Sequence, residues 1–347
     1  MRILLAGDFR WDRLAASYGR AFQALGHEVV PFDLAVERRS LARWMQSRYG
    51  YRLTLQSLAA RRRGSLALNR LFIEEVQTAQ PDLVWVLNGD FIMPETVRMI
   101  RASGVCYAMF HADNPFPPHY NSRPETIECA RECDVYFIWS YRLVDKLGRN
   151  GVNAQYLPFA WDPEVFPHQH DPGQEVFDVI FVGGWDARRE AFLSAVAEHF
   201  PLKIWGPSYW ATRSRARGAA RRCWQGKALT GPEAASVFAR SKITLNIYRD
   251  QHYIDGVADG TIMRSFEAPG SGSFLLAPRS RGATEVFPEG ESGAYFDDLA
   301  DALRQIEHYL GRSDERHSIG QQANAIVVNH RYVDRARQIL HHVEEAL

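Results

Sequence analysis

The chain has 347 residues, 46% hydrophobic and 24% charged, which excludes wholesale disorder and predicts about two folded domains. Lysine plus arginine and aspartate plus glutamate both number 41, so the formal net charge is zero and no global field favours nucleic acid as a partner. The four cysteines (Cys106, Cys129, Cys133, Cys223) include no C-x-x-C pair, and no stretch approaches the roughly 20 apolar residues of a membrane span.

The opening "RILLAGDFRWDRLAASYGRAFQALGHEVVPFD" reads as strand, loop, helix, strand. Ile3-Leu4-Leu5-Ala6 suits a strand buried on both faces, Gly26 ends the helix, and "EVVPF" starts the next strand, a βαβ unit of a parallel sheet. "MRILLAG" enters a strand with no long apolar signal region; with reduced thiols and no zinc-ligand pairs, a cytoplasmic protein without a metal site is expected. Residues 38–76 read as a long amphipathic helical segment with Leu41, Trp44, Met45, Leu53, Leu55 and Leu58 among arginines. That fits a packed helical hairpin, or a surface that makes peripheral contact with a membrane-bound acceptor. "PDLVWVLNG" (81–89), "GVCYAMFHADNP" (104–115) and "CDVYFIWS" (133–140) are further strands.

A stretch rich in proline and turn residues, "GVNAQYLPFAWDPEVFPHQHDPGQE" (151–175), reads as a linker. After it the grammar restarts with "FDVIFVGG" (177–184), a helix from about Arg188 to His199, "LKIWG" (202–206), "KITLNIY" (242–248) and "FLLAP" (274–278). Helices close the chain from Asp298. The basic run "RSRARGAARR" (213–222) reads as a solvated loop, or as a grip for an anionic partner. The expected architecture is α/β, two Rossmann-like doubly wound parallel sheets facing an interdomain cleft. Its boundaries are an N-terminal domain 1–160, a linker 161–176, a second domain 177–328, and a C-terminal helix 329–347 packing back toward the first domain.

In such sheets ligands bind beyond the carboxyl ends of the strands. That rule selects Asp8, Arg10, Asn88, Asp90, His111, Asp113 and Asn114 in the first half, and Gly183, Gly184, Asn246, Tyr248 and Arg249 in the second. Gly183-Gly184 lets backbone approach a ligand, Asp186 can cap the next helix, and Arg188 and Arg189 in its first turn make sense beside a phosphate. A plain strand-to-helix turn is the alternative. No G-x-G-x-x-G, Walker A, G-x-S-x-G, H-E-x-x-H or D-x-D triplet occurs at these turns, which disfavours a nicotinamide dinucleotide and a metal-bridged donor. In "DGTIMRSFEAPGSG" (259–272), Arg264 and Glu267 stand three apart on a helix, with Asp259 at or just before its start. They form either a structural ion pair or a clamp in which Arg264 meets a diphosphate and the acids meet hydroxyls. His111 is either a core histidine or a group that shares a proton.

The runs "FVGGWDARREAFL", "KITLNIYR" and "GTIMRSFEAPGSGSFLLAP", with "EVFPEGESGAYFDD" and "HRYVDRARQIL", resemble the CgeB-like (spore maturation protein B-like) glycosyltransferases. These in turn resemble the retaining GT-B enzymes that carry an E-x7-E motif. The likeness covers most of residues 177–340; "MRILLAGDF", "FHADNP" and "YLPFAWDPEVF" extend it more loosely. Here the motif is D-x7-E, with a shorter acid at its first position.

The resemblance implies transfer from a nucleoside diphosphate sugar (UDP-, GDP- or dTDP-linked), with retention and with no metal or other cofactor. It implies that Glu267 holds the ribose and that Asp259 lies near the sugar. Gly183, Gly184, Arg188, Arg189 and Arg264 would face the diphosphate, with Lys227, Asn246 and Tyr248 as further donor-side candidates. His111, with Asp113, would stand near the reacting sugar. The acceptor would be a glycan, a lipid-linked group, a protein or a small molecule. A sugar-nucleotide epimerase and a non-catalytic carbohydrate-binding or assembly protein are the competing expectations.

Overall fold

The computed structural model describes residues 1–37, 58–89, 91–119, 124–169, 172–215 and 218–346. They form two compact units, Met1–Leu157 with Val333–Leu347, and Pro158–Tyr332.

In the first unit β1 (Arg2–Gly7), β2 (Glu28–Asp33), β3 (Leu83–Leu87), β4 (Cys106–His111), β5 (Val135–Ile138) and β6 (Ala154–Tyr156) make one sheet. Its order is β2-β1-β3-β4-β5-β6 and every pairing is parallel. "LVWVL" and "CYAMFH" are buried at every position, as strands covered on both faces require. The helix Leu14–Ala24 lays Tyr18 and Phe22 on Trp85, with ring centroids 5.5 and 6.3 Å apart. Gly26 stops that helix by taking φ 83°, the left-handed conformation that glycine adopts without a Cβ clash. The helix Leu58–Ala79 buries Leu68, Phe72 and Val76, three residues spaced four apart along one face. The rest of the expected 38–76 segment, with Leu41, Trp44, Met45, Leu53 and Leu55, falls on residues 38–57, outside the described residues.

In the second unit the strands are β7 (Phe177–Val182), β8 (Leu202–Trp205), β9 (Ser241–Leu245), β10 (Tyr253–Ile254), β11 (Val257–Ala258), β12 (Leu275–Pro278) and β13 (Ala294–Phe296). Five of them form a parallel sheet in the order β13-β12-β9-β7-β8, while β10 and β11 pair antiparallel as a hairpin. Asp255 (φ 52°) and Gly256 (φ 79°) both turn left-handed between the hairpin strands, as a two-residue turn demands. Because β8 lies on one side of β7 and β9 on the other, the winding reverses between β7 and β9. Their carboxyl ends are therefore the natural ligand edge of this sheet.

The proline-rich segment expected as a linker packs inside the second unit. Trp161 is buried, donates its indole N–H to the Phe166 carbonyl at 2.8 Å, and stands against Gly270, where a Cβ would strike its ring. Its backbone N–H reaches the His330 carbonyl at 2.9 Å. Among the prolines, Trp161 and Val165 carry enough apolar surface to dock the segment. The basic run is likewise part helix, Ala219–Cys223, with Ala219 and Ala220 buried.

Candidate active site

At the end of β7 the chain turns through Gly183 and Gly184 into the helix Ala187–His199. Two indoles fix this edge: Trp210 donates to the Gly183 carbonyl and Trp224 to the Gly206 carbonyl, both at 2.9 Å. A Cβ on Gly206 would collide with the Gly183 carbonyl oxygen, so only glycine lets the ends of β7 and β8 approach this closely. Asp186 is the N-cap, its carboxylate accepting from the Arg189 N–H at 2.9 Å. The backbone N–H groups of Gly184, Trp185, Asp186, Ala187 and Arg188 meet no acceptor among the described residues. A run of donors on a glycine turn leading into a helix N-terminus is suited to an anion.

Several cations surround this run, and the structure separates their roles. Arg189 is buried; its Nε donates to the Ile247 carbonyl at 2.8 Å and its Nη1 to the Gly184 carbonyl at 3.0 Å. It thus laces the end of β7 to the end of β9. Burial, and then the neighbouring Arg249 guanidinium, pushes its pKa below the usual arginine range. Arg264 is also largely buried. Its Nη2 donates to the Val182 carbonyl at 3.0 Å, its Nη1 is 2.7 Å from Glu267 Oε2, and the guanidinium lies over the Phe238 ring. Burial lowers its pKa and Glu267 opposes that shift.

Arg188 is half-exposed, stacked 3.8 Å over the Tyr253 ring and 3.5 Å from Asp250. Lys227 pairs with Glu233 at 2.7 Å on the surface beside the end of β8. Arg249 is exposed, and its guanidinium lies where a Cβ on Gly184 would collide with Nη2.

Glu267 is 5% exposed on the short helix Arg264–Gly270. Asp259 is 2% exposed and donates its N–H to the His252 carbonyl at 3.1 Å. It is five residues before the helix rather than at its start, because the cap is Met263 and Gly260 takes φ 69° in the intervening loop. The two acids of the D-x7-E pattern therefore sit on different elements. Asn246 follows β9; it is buried, and its side-chain Nδ2 has no hydrogen-bond partner among the described residues. Tyr248 lies in the core, its hydroxyl donating to the Gly260 carbonyl at 3.2 Å beside Ser280.

In the first unit the carboxyl edge gathers the other candidates. His111 ends β4, fully buried, with its ring 6.3 Å from and stacked on Tyr136. Its Nδ1 is 2.9 Å from the Asp113 backbone oxygen, to which it donates. The Asp113 main chain thus orients the ring. Asn88, left-handed at φ 67°, accepts from the Ala112 N–H at 2.7 Å and fixes the end of β4. Asn114 Oδ1 accepts from the Phe116 N–H at 3.0 Å and shapes the same loop. Arg10 pairs with Asp8, and its hydrogen bonds hold that carboxyl below the usual range. Asp90 is outside the described residues.

Sequence reasoning missed Glu190, whose carboxylate takes the Trp185 indole N–H at 2.9 Å and the Arg215 N–H at 2.7 Å, tying the basic loop to the glycine turn. It also missed the hairpin, although "IDGV" carries the Asp-Gly signal of a two-residue turn.

With this geometry in view, residues 188–341 match the family described as glycosyl transferase-like. No curated protein matches the sequence. Among solved structures, sucrose-phosphate synthase from Thermosynechococcus elongatus is similar at TM-score 0.67 and 12% identity, over 99% of this chain and 98% of that one. A trehalose-6-phosphate structure from E. coli, bound with UDP-2-fluoro glucose, is similar at TM-score 0.67 and 15% identity, over 99% of both chains. HepE from Anabaena, in complex with UDP, is similar at TM-score 0.64 and 12% identity, over 99% of this chain and 100% of that one. The fold is GT-B, two parallel-sheet α/β domains. The chain thus shares the fold of these structures, and within it residues 188–341, in the second unit and the start of the final helix, are the glycosyl transferase-like part. Among the described residues no helix is long and apolar enough to cross a membrane.

Proposed function

We propose that the protein moves a sugar from a nucleoside diphosphate sugar to an acceptor with retention at the anomeric carbon, as a CgeB-like member of the GT-B class. The observation that carries this reading is the run of five backbone N–H groups, Gly184 to Arg188, that meet no acceptor among the described residues at the β7–β9 winding reversal. A diphosphate satisfies such a run, and the surrounding guanidiniums stabilise the charge that grows on it as it leaves.

In the proposed reaction the bond from the anomeric carbon to the diphosphate oxygen breaks, and its electron pair goes to the diphosphate. The acceptor hydroxyl attacks the same face and passes its proton to a diphosphate oxygen. Glu267 accepts from the ribose hydroxyls and Asp259 from the sugar. His111 is assigned to the sugar being transferred, with Asp113 holding its ring. Arginines and backbone donors supply the neutralisation here, so metal-independent transfer is part of the proposal.

The test is a donor panel. Purified protein is titrated with UDP, GDP and dTDP, and release of the diphosphate from the matching sugar donors is followed with and without chelator. Binding of one diphosphate, with release that survives the chelator, is the expected result. Failure to bind any of the three would overturn the donor-site reading, and activity lost to chelator and restored by magnesium would overturn the metal-independent part.

A further inference from the structure

Resting on that donor-site reading, we infer that Arg249, from the loop between β9 and the hairpin, is the side chain that grips the terminal phosphate of the diphosphate. Among the described residues the other cations near the glycine turn or the end of β8 are already engaged, Arg213 by the Tyr209 ring at 4.3 Å beside Trp185. Arg189 donates to the Ile247 and Gly184 carbonyls, and Arg264 donates to the Val182 carbonyl and is ion-paired with Glu267. Arg188 is held by Asp250 and Tyr253, and Lys227 by Glu233. Among the described residues the Arg249 guanidinium has neither a carboxylate nor a carbonyl partner. It lies directly over Gly184, the first residue of the unsatisfied N–H run.

A Cβ at position 184 would enter the space of that guanidinium and push it off the turn. The position is also electrostatically unfavourable without an anion, since Arg249 and Arg189 oppose each other's charge across the turn. An anion between the N–H run and Arg249 relieves that repulsion and completes both sets of donors. The Arg249 backbone is fixed for the purpose: its N–H donates to His252 Nδ1 at 3.1 Å, and its carbonyl accepts the His252 N–H at 2.9 Å. A fixed stem with an unpaired fork fits the second phosphate, which a monophosphate lacks.

The test compares paired nucleotides, UDP with UMP, GDP with GMP and dTDP with dTMP, on the full chain and on Arg249→Ala and Arg249→Lys by calorimetric titration. Wild-type protein should prefer one diphosphate over its monophosphate. Arg249→Ala should weaken that diphosphate about ten- to hundredfold, leave the monophosphate nearly unchanged, and keep the melting temperature. Arg249→Lys should recover part of the loss, since it restores the charge without the fork. An unchanged diphosphate-to-monophosphate preference in Arg249→Ala would overturn the assignment while the donor site stands. Absence of binding to any of the six by wild-type protein would overturn the donor-site reading and the assignment with it.

Discussion

Glu267 combines two demands on one side chain, because it partners a buried guanidinium and is also the proposed ribose acceptor. Removing one member of a buried pair leaves the other charge uncompensated. Glu267→Gln, which keeps an acceptor oxygen, should therefore cost about 3 kcal/mol in urea denaturation. If ribose hydroxyls donate to it, the folded variant should also bind the diphosphate about tenfold more weakly. Lost stability with unchanged affinity would return Glu267 to a purely structural role. The cysteines allow a simpler check. Burial pushes Cys106 up to about 11 and Cys129 up to about 12, and holds Cys133 well above the usual thiol range. Iodoacetamide at mildly alkaline pH should label the part-exposed Cys223 first and the other three only on unfolding; equal rates for all four in native protein would contradict this. At this scale the sequence revealed residue types but not their engagements. Arg188 and Arg189 look alike in "DARRE". One turns inward because the Ile247 carbonyl, 58 residues away, meets its Nε, and no local pattern carries that information.

Among the elements, the helix Ala187–His199 gives the clearest prediction, since its start carries the N–H run. Asp186→Ala removes the cap on Arg189 and should lower stability by about 1 kcal/mol, whereas Asp186→Asn should retain most of it. Equal stability of the Ala variant by urea titration would mean that the cap contributes nothing. The cap was legible because an acid followed a glycine turn and preceded an apolar-periodic run. The strands were legible for a similar reason: runs such as "LVWVL" and "VYFI" are buried on both faces and leave no other reading. Short strands were less so. β6 and β13 have only three residues each, too few for a period to register, and β6 lies in the turn-rich stretch 151–175. That stretch looked like a linker because proline content signals an irregular backbone but not whether that backbone is docked. Trp161 and Val165 dock it.

At the scale of the whole molecule, the chain returns to its first unit after completing the second. Residues Val333–Leu347 belong with Met1–Leu157, and Ala336, Ile339, Leu340 and Val343 of the final helix Tyr332–Ala346 are buried. The His342 ring lies 5.7 Å from Phe137 of β5, so the helix is part of that unit's core. Burying an Ile, a Leu and a Val contributes about 1.5–3 kcal/mol each, together about 5–9 kcal/mol. Total domain stability is only about 5–15 kcal/mol, so the helix decides whether the first unit folds. Ending the chain after Tyr332 should leave residues 1–157 open to limited proteolysis, while a fragment near 158–332 persists, because its own sheet and core remain complete. Mass spectrometry of the digest reads both halves at once. If residues 1–157 of the truncated chain stay as protected as in the full chain, the final helix is an accessory to that unit rather than part of its core.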